Sequence, residues 1–219
     1  MESVSKVFCR LCNGDQVNLQ FSSSNREFYE CAQCDLLFVN SSNFLTPDEE
    51  KKRYDYHEND PQNADYRTFL SKLKNALLPK LSVGMKGLDF GSGISDAMAR
   101  LFAEEGYAMD LYDPFFGPDL LKPNKTYDFI TCCEVAEHFK EPKKEIELIN
   151  SLLNKTSWLG VMTTLRDDYR GDSSWWYLRD PTHVCFYTRR TFRWIGEHWG
   201  LKVEFNSGNI VLLAKTDIM

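Results

Sequence analysis

Gly87-Leu88-Asp89-Phe90-Gly91-Ser92-Gly93 is a short apolar strand that runs into two glycines. A helix follows from Asp96 to Glu105, with Met98, Leu101 and Phe102 on one face. Strand, glycine turn and helix form the opening unit of a parallel α/β sheet. Glycines at such a turn let a ligand approach the backbone, and the helix N-terminus adds the positive end of a dipole. The dinucleotide fingerprint G-x-G-x-x-G is not completed, because Asp96 stands three places after Gly93. An acid there repels a pyrophosphate, so the loop suits a cofactor without phosphates better than a dinucleotide.

The same alternation continues downstream. Tyr107 to Tyr112 reads as a second strand, ending at Asp113-Pro114, and Tyr127 to Cys133 as a third, buried one. Pro142 starts a helix carrying Ile146, Ile149, Leu152 and Leu153, and Trp158 to Thr164 is the next strand. Thr188 caps a helix with Phe192, Ile195 and Trp199, which Gly200 stops. Leu201–Phe205 and Ile210–Ala214 flank Asn206-Ser207-Gly208-Asn209, a hairpin signal. The expectation is an α/β fold, a parallel sheet covered on both faces with a terminal hairpin that adds one antiparallel strand. Asp113 is placed to accept both hydroxyls of a ribose at the end of the neighbouring strand, or else to make the turn before Pro114.

Upstream, Cys9-x-x-Cys12 and Cys31-x-x-Cys34 are separated by 18 residues, the spacing of a four-cysteine zinc site. Each turn presents two thiolates, and two turns complete a tetrahedron. Four protein ligands leave no open position, so the ion is structural, replacing a core that about 40 residues hardly build alone. Val7-Phe8, Phe28-Tyr29-Glu30 and Leu36–Val39 read as strands around the knuckles, and the chain turns back at Gly14. Asp35 stands where many knuckles have glycine, and Asp tolerates the left-handed region. Residues 1–45 form this module. Residues 46–80 form a helical bridge: Thr46-Pro47-Asp48-Glu49 starts one helix, Asp60-Pro61 breaks it, and Tyr66, Phe69, Leu70, Leu73 and Leu77 mark a second that ends near Pro79. Residues 81–219 form the α/β domain.

A chain of 219 residues permits one ordinary domain and a small module. A net charge of −6 argues against a general nucleic-acid binder. Mean hydropathy is −0.44, and no run of about 18 apolar residues exists, so no membrane span is expected. Met1 to Cys9 carries no secretory h-region, so a cytoplasmic placement is expected. Seven cysteines is an odd count for a disulfide framework in that compartment. Cys132, Cys133 and Cys185, outside the knuckles, read as small buried hydrophobes.

Tyr127-Asp128-Phe129-Ile130-Thr131-Cys132-Cys133-Glu134-Val135-Ala136-Glu137-His138-Phe139, taken with Leu88–Gly93 and Asp113, resembles class I S-adenosylmethionine-dependent methyltransferases. Asp180-Pro181-Thr182-His183-Val184, followed by Phe186-Tyr187-Thr188, is similar to the segment after the fifth strand in the ubiquinone-biosynthesis-like branch. A cysteine-rich module ahead of such a domain resembles sugar C-methyltransferases. The likeness covers residues 85–215 well and the module more loosely. It implies a Rossmann-like methyltransferase sheet preceded by a zinc-ribbon-like module, with S-adenosylmethionine and a structural zinc.

The resemblance also implies roles. Gly91, Ser92 and Gly93 lie against the cofactor's methionine part, and Asp89 positions the loop or the amino group. Asp113 holds the ribose beside Pro114, Phe115 lies on the adenine face, and Glu134 and Val135 line the sulfonium side. Two features depart from the family. Ser95 stands where a third glycine is common, and only Pro114 to Thr126 separates the second-strand acid from the Tyr127 strand, too little for the usual helix and strand. Asp119, the only acid in that gap, is left as the contact for the adenine amine.

A sulfonium methyl is already activated, so the enzyme mainly holds a nucleophile in line. A base helps where the acceptor is a hydroxyl or an acidic carbon. His138 is the first candidate and His183 the second, with Glu137 beside them. His57 caps the cofactor's amino-acid end or packs, and His198 is structural. Trp175-Trp176-Tyr177-Leu178-Arg179 with Phe186-Tyr187 and Arg189-Arg190 is either a lid for a planar, anionic substrate or a loop that covers the core. The expected reaction is methyl transfer to a small-molecule acceptor, such as a sugar nucleotide or a quinone-like metabolite. The alternatives are an RNA base methyltransferase with a zinc module and a non-catalytic cofactor-binding protein. Up to Thr46, Lys6, Arg10 and Arg26 stand against Glu2, Asp15, Glu27, Glu30 and Asp35, a net −2 and a poor surface for RNA.

Overall fold

The structure, a computed structural model, describes residues 6–55, 60–116, 125–206 and 208–216; His57 and Asp119 lie outside them. The chain enters the first knuckle at Val7-Phe8 without forming a strand. Strand β1 (Val17–Ser23) comes later, and its Val17-Asn18-Leu19-Gln20-Phe21 alternates at period two. Ser24 and Asn25, at φ 51° and 59°, make a two-residue turn into β2 (Arg26–Cys31), with both central residues left-handed as such hairpins demand. Asp35 takes φ 65° in the second knuckle, and β3 (Leu37–Val39) follows.

Helix α1 (Pro47–Tyr54) starts with a complete capping box: Glu49 N–H donates to Thr46 Oγ1, and Thr46 N–H donates to Glu49 Oε2. Helix α2 (Ala64–Leu77) buries Leu70, Leu73 and Leu77 against the sheet. Next come β4 (Lys86–Phe90), α3 (Ala97–Ala103), β5 (Ala108–Tyr112) and β6 (Tyr127–Cys133). Then follow α4 (Pro142–Leu152), β7 (Leu153–Met162), β8 (Cys185–Phe186), α5 (Arg189–Trp199), β9 (Leu201–Phe205) and β10 (Ile210–Lys215). The larger sheet has the order β5-β4-β6-β7-β10-β9. Its first four strands are parallel, and β10 runs antiparallel to both β7 and β9. Phe129, Ile130 and Cys132 of β6 are buried because helices cover both faces. At Gly160 of β7 a Cβ would lie 2.6 Å from Leu77, so glycine is what lets α2 sit down on the sheet. Among the described residues, no helix is long and apolar enough to cross a membrane.

The cysteine module is not closed on itself. Its sheet reads β1-β2-β3-β8, with Leu37 opposite Phe186 and Phe38 opposite Cys185. One apolar core therefore runs from Phe28 and Phe38 through Tyr187 to Leu88 and Tyr127. Ion pairs with one buried partner each reinforce the join. Asp35 accepts from Arg170 through both oxygens and from Thr188 Oγ1 at 2.6 Å, and Arg166 pairs with Glu30. Thr188 is also the N-cap of α5, so the knuckle and that helix share one anchor.

Asp35→Gly supplies the residue that the left-handed backbone favours, yet it is expected to destabilise the protein by about 2 kcal/mol, because it leaves Arg170 and Thr188 without their acceptor. The check is the denaturant midpoint at constant m-value; an unchanged or raised midpoint would reduce Asp35 to a turn residue.

Candidate functional site

The site lies at the carboxyl ends of β4, β5 and β6, where open α/β sheets leave a crevice. Gly91 (φ 85°) and Gly93 (φ 62°) turn the chain out of β4, and the Gly91 and Ser92 N–H groups both donate to Tyr112 O, at 2.7 and 3.1 Å. A Cβ on Gly91 would fall 2.5 Å from the Val135 methyls, so this residue cannot be larger. Asp113 holds the loop from the neighbouring strand: Oδ2 accepts from Gly93 N at 2.9 Å, and Oδ1 accepts from Phe115 N and Phe116 N at 2.8 and 3.2 Å. Asp89 sits beneath and accepts from Thr131 Oγ1 at 2.7 Å. Burial, with Asp113 nearby, pushes its carboxyl up to about 6. Ser95 Oγ accepts from Ala97 N at 3.3 Å in the turn ahead of α3, whose N-cap position is Asp96. Asp96 turns outward to Arg100, at 2.7 Å. The acid that the sequence set against a phosphate thus spends its charge on the helix surface.

At the end of β6, Glu134 has φ 52°, a strained value for a residue with a Cβ, of the kind concentrated at functional sites. Its N–H donates to Met162 O at 2.8 Å. Burial and the proximity of Glu137 push its carboxyl up to about 8. Glu137 is fully buried and accepts from Thr163 Oγ1 at 2.8 Å. His138 Nδ1–H donates to Thr182 O at 3.1 Å, and His183 Nδ1–H donates to Tyr177 O at 2.9 Å. A ring nitrogen that donates to a carbonyl carries the proton, so each lone pair sits on Nε2. The two rings are 4.8 Å apart, and Tyr54 of α1 meets His138 edge-on at 5.5 Å. Burial, then the neighbouring His138, hold the His183 imidazole below its ordinary value. Ligand atoms of Glu137, His138 and His183 lie within 4.8 Å of one another, close enough to hold a cation.

Gly91, Ser92, Gly93, Asp113, Pro114, Phe115, Glu134, Val135, Glu137, His138 and His183 all line one cavity of about 790 Å³. Tyr54, Tyr66, Phe69, Glu145 and Leu148 line it too. Sequence reading gave these five no role in the site, because each belongs to a helix whose facing partner is remote in the chain. The aromatic block resolves as cover for the core. Trp175 stacks on Tyr169 at 4.7 Å, Tyr177 packs on His183 at 4.2 Å, and Arg190 donates to the carbonyls of Ala32 and Gln33 in the second knuckle. His198 stacks on Trp194 in α5, away from the cavity.

The loop that carries His183 is gripped from the cysteine module. Arg26, buried, donates to the carbonyls of Leu178 (3.2 Å), Asp180 (2.8 Å) and His183. Arg53 of α1 forks onto the Asp180 carboxylate. In the module itself the four sulfurs of Cys9, Cys12, Cys31 and Cys34 lie within 4.8 Å of one another, with Cys9–Cys34 and Cys12–Cys31 both at 3.4 Å. Tetrahedral thiolates about 2.3 Å from zinc stand ~3.8 Å apart, so this donor set fits the ion. Gly14 N–H donates to Cys12 Sγ at 3.3 Å, which fixes that sulfur's direction. Cys132 and Cys185 are buried, and the Cys185 thiol donates to Phe139 O, but Cys133, expected to be buried as well, is half-buried and lines the cavity at the end of β6.

Residues 62–204 match a family model described as a methyltransferase domain. Among solved structures, the chain is similar to Burkholderia thailandensis 1,6-didemethyltoxoflavin-N1-methyltransferase with bound 1,6-didemethyltoxoflavin and S-adenosylhomocysteine, at 11% identity over 90% of this chain and 98% of that one, with a TM-score of 0.56. A putative methyltransferase from Bacillus halodurans C-125 is 16% identical over 62% of this chain and 70% of that one, with a TM-score of 0.47. A methyltransferase from Archaeoglobus fulgidus is 18% identical over 68% and 94%, with a TM-score of 0.49. No curated protein matches the sequence.

Asp89 yields a pH test. Its folded value, about 6, lies above the ordinary 3.8, so its contribution to stability is complete below 3.8 and is lost as pH rises through 6. Asp89→Asn keeps an acceptor for Thr131 and removes the titration. It is expected to raise stability at pH 7 by about 3 kcal/mol and to flatten the profile between those two values, as read by denaturant unfolding across pH.

Proposed function

The chain belongs to the methyltransferase-domain family, and from that premise we propose that it moves the methyl group of S-adenosylmethionine to a small-molecule acceptor held against Glu137, His138 and His183. The observation that carries this reading is the single cavity shared by the glycine loop, Asp113 and the histidine pair. S-adenosylhomocysteine bound in a protein of the same fold supports the cofactor.

When bound, the cofactor supplies a methyl group already activated by its sulfonium. Gly91 and Gly93 leave backbone open to its amino-acid part, with Asp89 beneath to steady the loop. Asp113 Oδ2 keeps a lone pair beyond its bond from Gly93 N–H, enough to accept from a ribose hydroxyl, while Oδ1 already accepts from Phe115 and Phe116. Pro114 and Phe115 offer an apolar wall for adenine, and Glu134 and Val135 border the sulfonium side. His138 Nε2 is the base for an acceptor hydroxyl or acidic carbon, with His183 next to it and Glu137 stabilising the cationic ring. The half-enclosed cavity and its aromatic wall suit a sugar nucleotide or a quinone-like metabolite. A polyanion such as RNA meets a chain of net charge −6, and a non-catalytic binder has no use for a pair of histidines facing the cavity.

Cys9, Cys12, Cys31 and Cys34 hold a structural zinc in the module of residues 1–45. Residues 46–80 bridge it to the transfer domain of residues 81–219. Elemental analysis is expected to give one zinc per chain, and stripping it to lower the thermal midpoint by at least about 10 °C; a metal-free protein with the same midpoint would remove the assignment. A methyl-transfer screen over glycan-precursor, quinone and small-acid libraries identifies the acceptor. On that acceptor His138→Ala is expected to slow kcat by about 10²–10³-fold while S-adenosylhomocysteine binding stays unchanged. Undiminished turnover would strike His138 from the mechanism.

A further inference from the structure

Helix α4 packs its inward face with Ile146, Ile149 and Leu152. Glu145 falls on the same stripe, one turn before Ile149 and two before Leu152, where helical periodicity calls for an apolar residue. Its Oε2 is buried and has no hydrogen-bond partner among the described residues. Leaving a carboxylate oxygen dry and unpaired is expensive, and burial accordingly pushes this group up to about 7. Native proteins keep such an oxygen where something else supplies the donor.

The surroundings indicate what that donor is. Glu145 lines the same cavity as Phe90, Tyr112, Phe115 and Leu148. Phe90 and Tyr112 lie ring to ring at 4.9 Å, so the carboxylate borders an aromatic recess next to Asp113, with Lys144 also on the cavity wall. A planar heterocycle carrying an amino group matches both features, with a flat face for the rings and an N–H for the acid. The topology explains why the acid comes from α4. In the larger sheet β5 is the edge strand among the described residues. The cavity wall that holds Phe90, Tyr112 and Asp113 is completed by the first turns of α4, through Glu145 and Leu148.

We infer that Glu145 accepts the exocyclic amine of the cofactor's adenine, and so selects adenine over purines that carry an oxygen at that position. This rests on the cofactor reading above, and binding separates the two. The probes are S-adenosylhomocysteine and its inosine counterpart, which differ only in amine against carbonyl oxygen, each titrated calorimetrically into the full-length zinc-loaded protein. The unaltered protein is expected to favour the adenine compound by about 10- to 100-fold, the range of a hydrogen bond to a charged group. Glu145→Gln places a donor and an acceptor where only an acceptor stood, so it is expected to weaken the adenine compound by about tenfold and to bring the two affinities within about threefold of each other. Glu145→Ala is expected to lose the preference as well, and Asp119→Asn to keep it.

Failure of the adenine compound to bind the unaltered protein would sink the cofactor reading itself. Binding without preference, or a preference that survives in both Glu145 variants, would overturn the Glu145 assignment alone. Collapse of the preference in Asp119→Asn instead would overturn it too, and would move the contact to Asp119. Because Glu145→Gln relieves an unpaired buried charge, its melting temperature is expected to hold or rise, so a loss of adenine preference is not a loss of fold.

Discussion

The antiparallel pairing of β3 with β8 joins two halves that neither could complete alone. Two residues of backbone ladder bring Leu37 and Phe38 against Cys185 and Phe186, and the apolar side chains on either side merge into one core. A two-stranded hairpin beside a metal knuckle buries little surface by itself, and a third and fourth strand are what make such a sheet stable. The fourth strand here comes from about 150 residues downstream. The segment that supplies it, between β7 and α5, also carries His183. Whatever fixes β8 in register therefore fixes part of the cleft.

The polar contacts across the join follow from the same geometry. Arg26, the first residue of β2, spends its guanidinium on three backbone carbonyls of the His183 loop, with no carboxylate bonded to it among the described residues. Burial pulls its value down to about 10, so the group remains charged near neutrality. A planar fork can reach carbonyls that diverge from one another, whereas a lysine ammonium acts as a point charge. The histidines then close the circuit, since His138 and His183 donate back to carbonyls of the same loop. The loop is thus held from outside by the cysteine module and from inside by the site. An ion in the knuckle can influence the cleft through this grip without approaching it.

How much of this the sequence disclosed depends on whether a feature is local. The two C-x2-C turns, the left-handed Asp35, the Thr188 cap and the Gly200 stop of α5 are set within a few residues, and each is where its local chemistry puts it. β1 was equally local in Val17-Asn18-Leu19-Gln20-Phe21, but polar flanks hide its period-two pattern. β8 is a different case. Cys185-Phe186 has no strand signature, and only the exposed edge of β3 makes it one. The Trp175–Tyr187 block reads equally as lid or as core cover, because aromatic residues serve both, and the choice falls to the neighbours that Arg166, Arg170 and Arg190 recruit from the knuckle. In the cleft, the glycine loop, Asp113 and the Glu134–His138 run were legible as a motif. Tyr54, Tyr66 and Glu145 were not, since a helix position gains a role only from what packs opposite it.

The electrostatics of the cleft then bear on which ligands it favours. Asp89, Glu134 and Glu145 are all driven by burial toward their neutral forms, and Glu134 and Glu137 add mutual repulsion. A pocket in which several acids are reluctant to ionise stabilises a cation more than a neutral ligand of the same shape, because the incoming charge offsets both the desolvation and the repulsion at once. A sulfonium brings one positive charge, and the product of methyl transfer does not. Of these acids Glu134 borders the side proposed for the sulfur, and it would then hold the charged cofactor more firmly than its demethylated product. Strain at Glu134 fits this picture, for the left-handed backbone keeps a carboxylate at the end of β6 where the chain, left to its own preferences, would not.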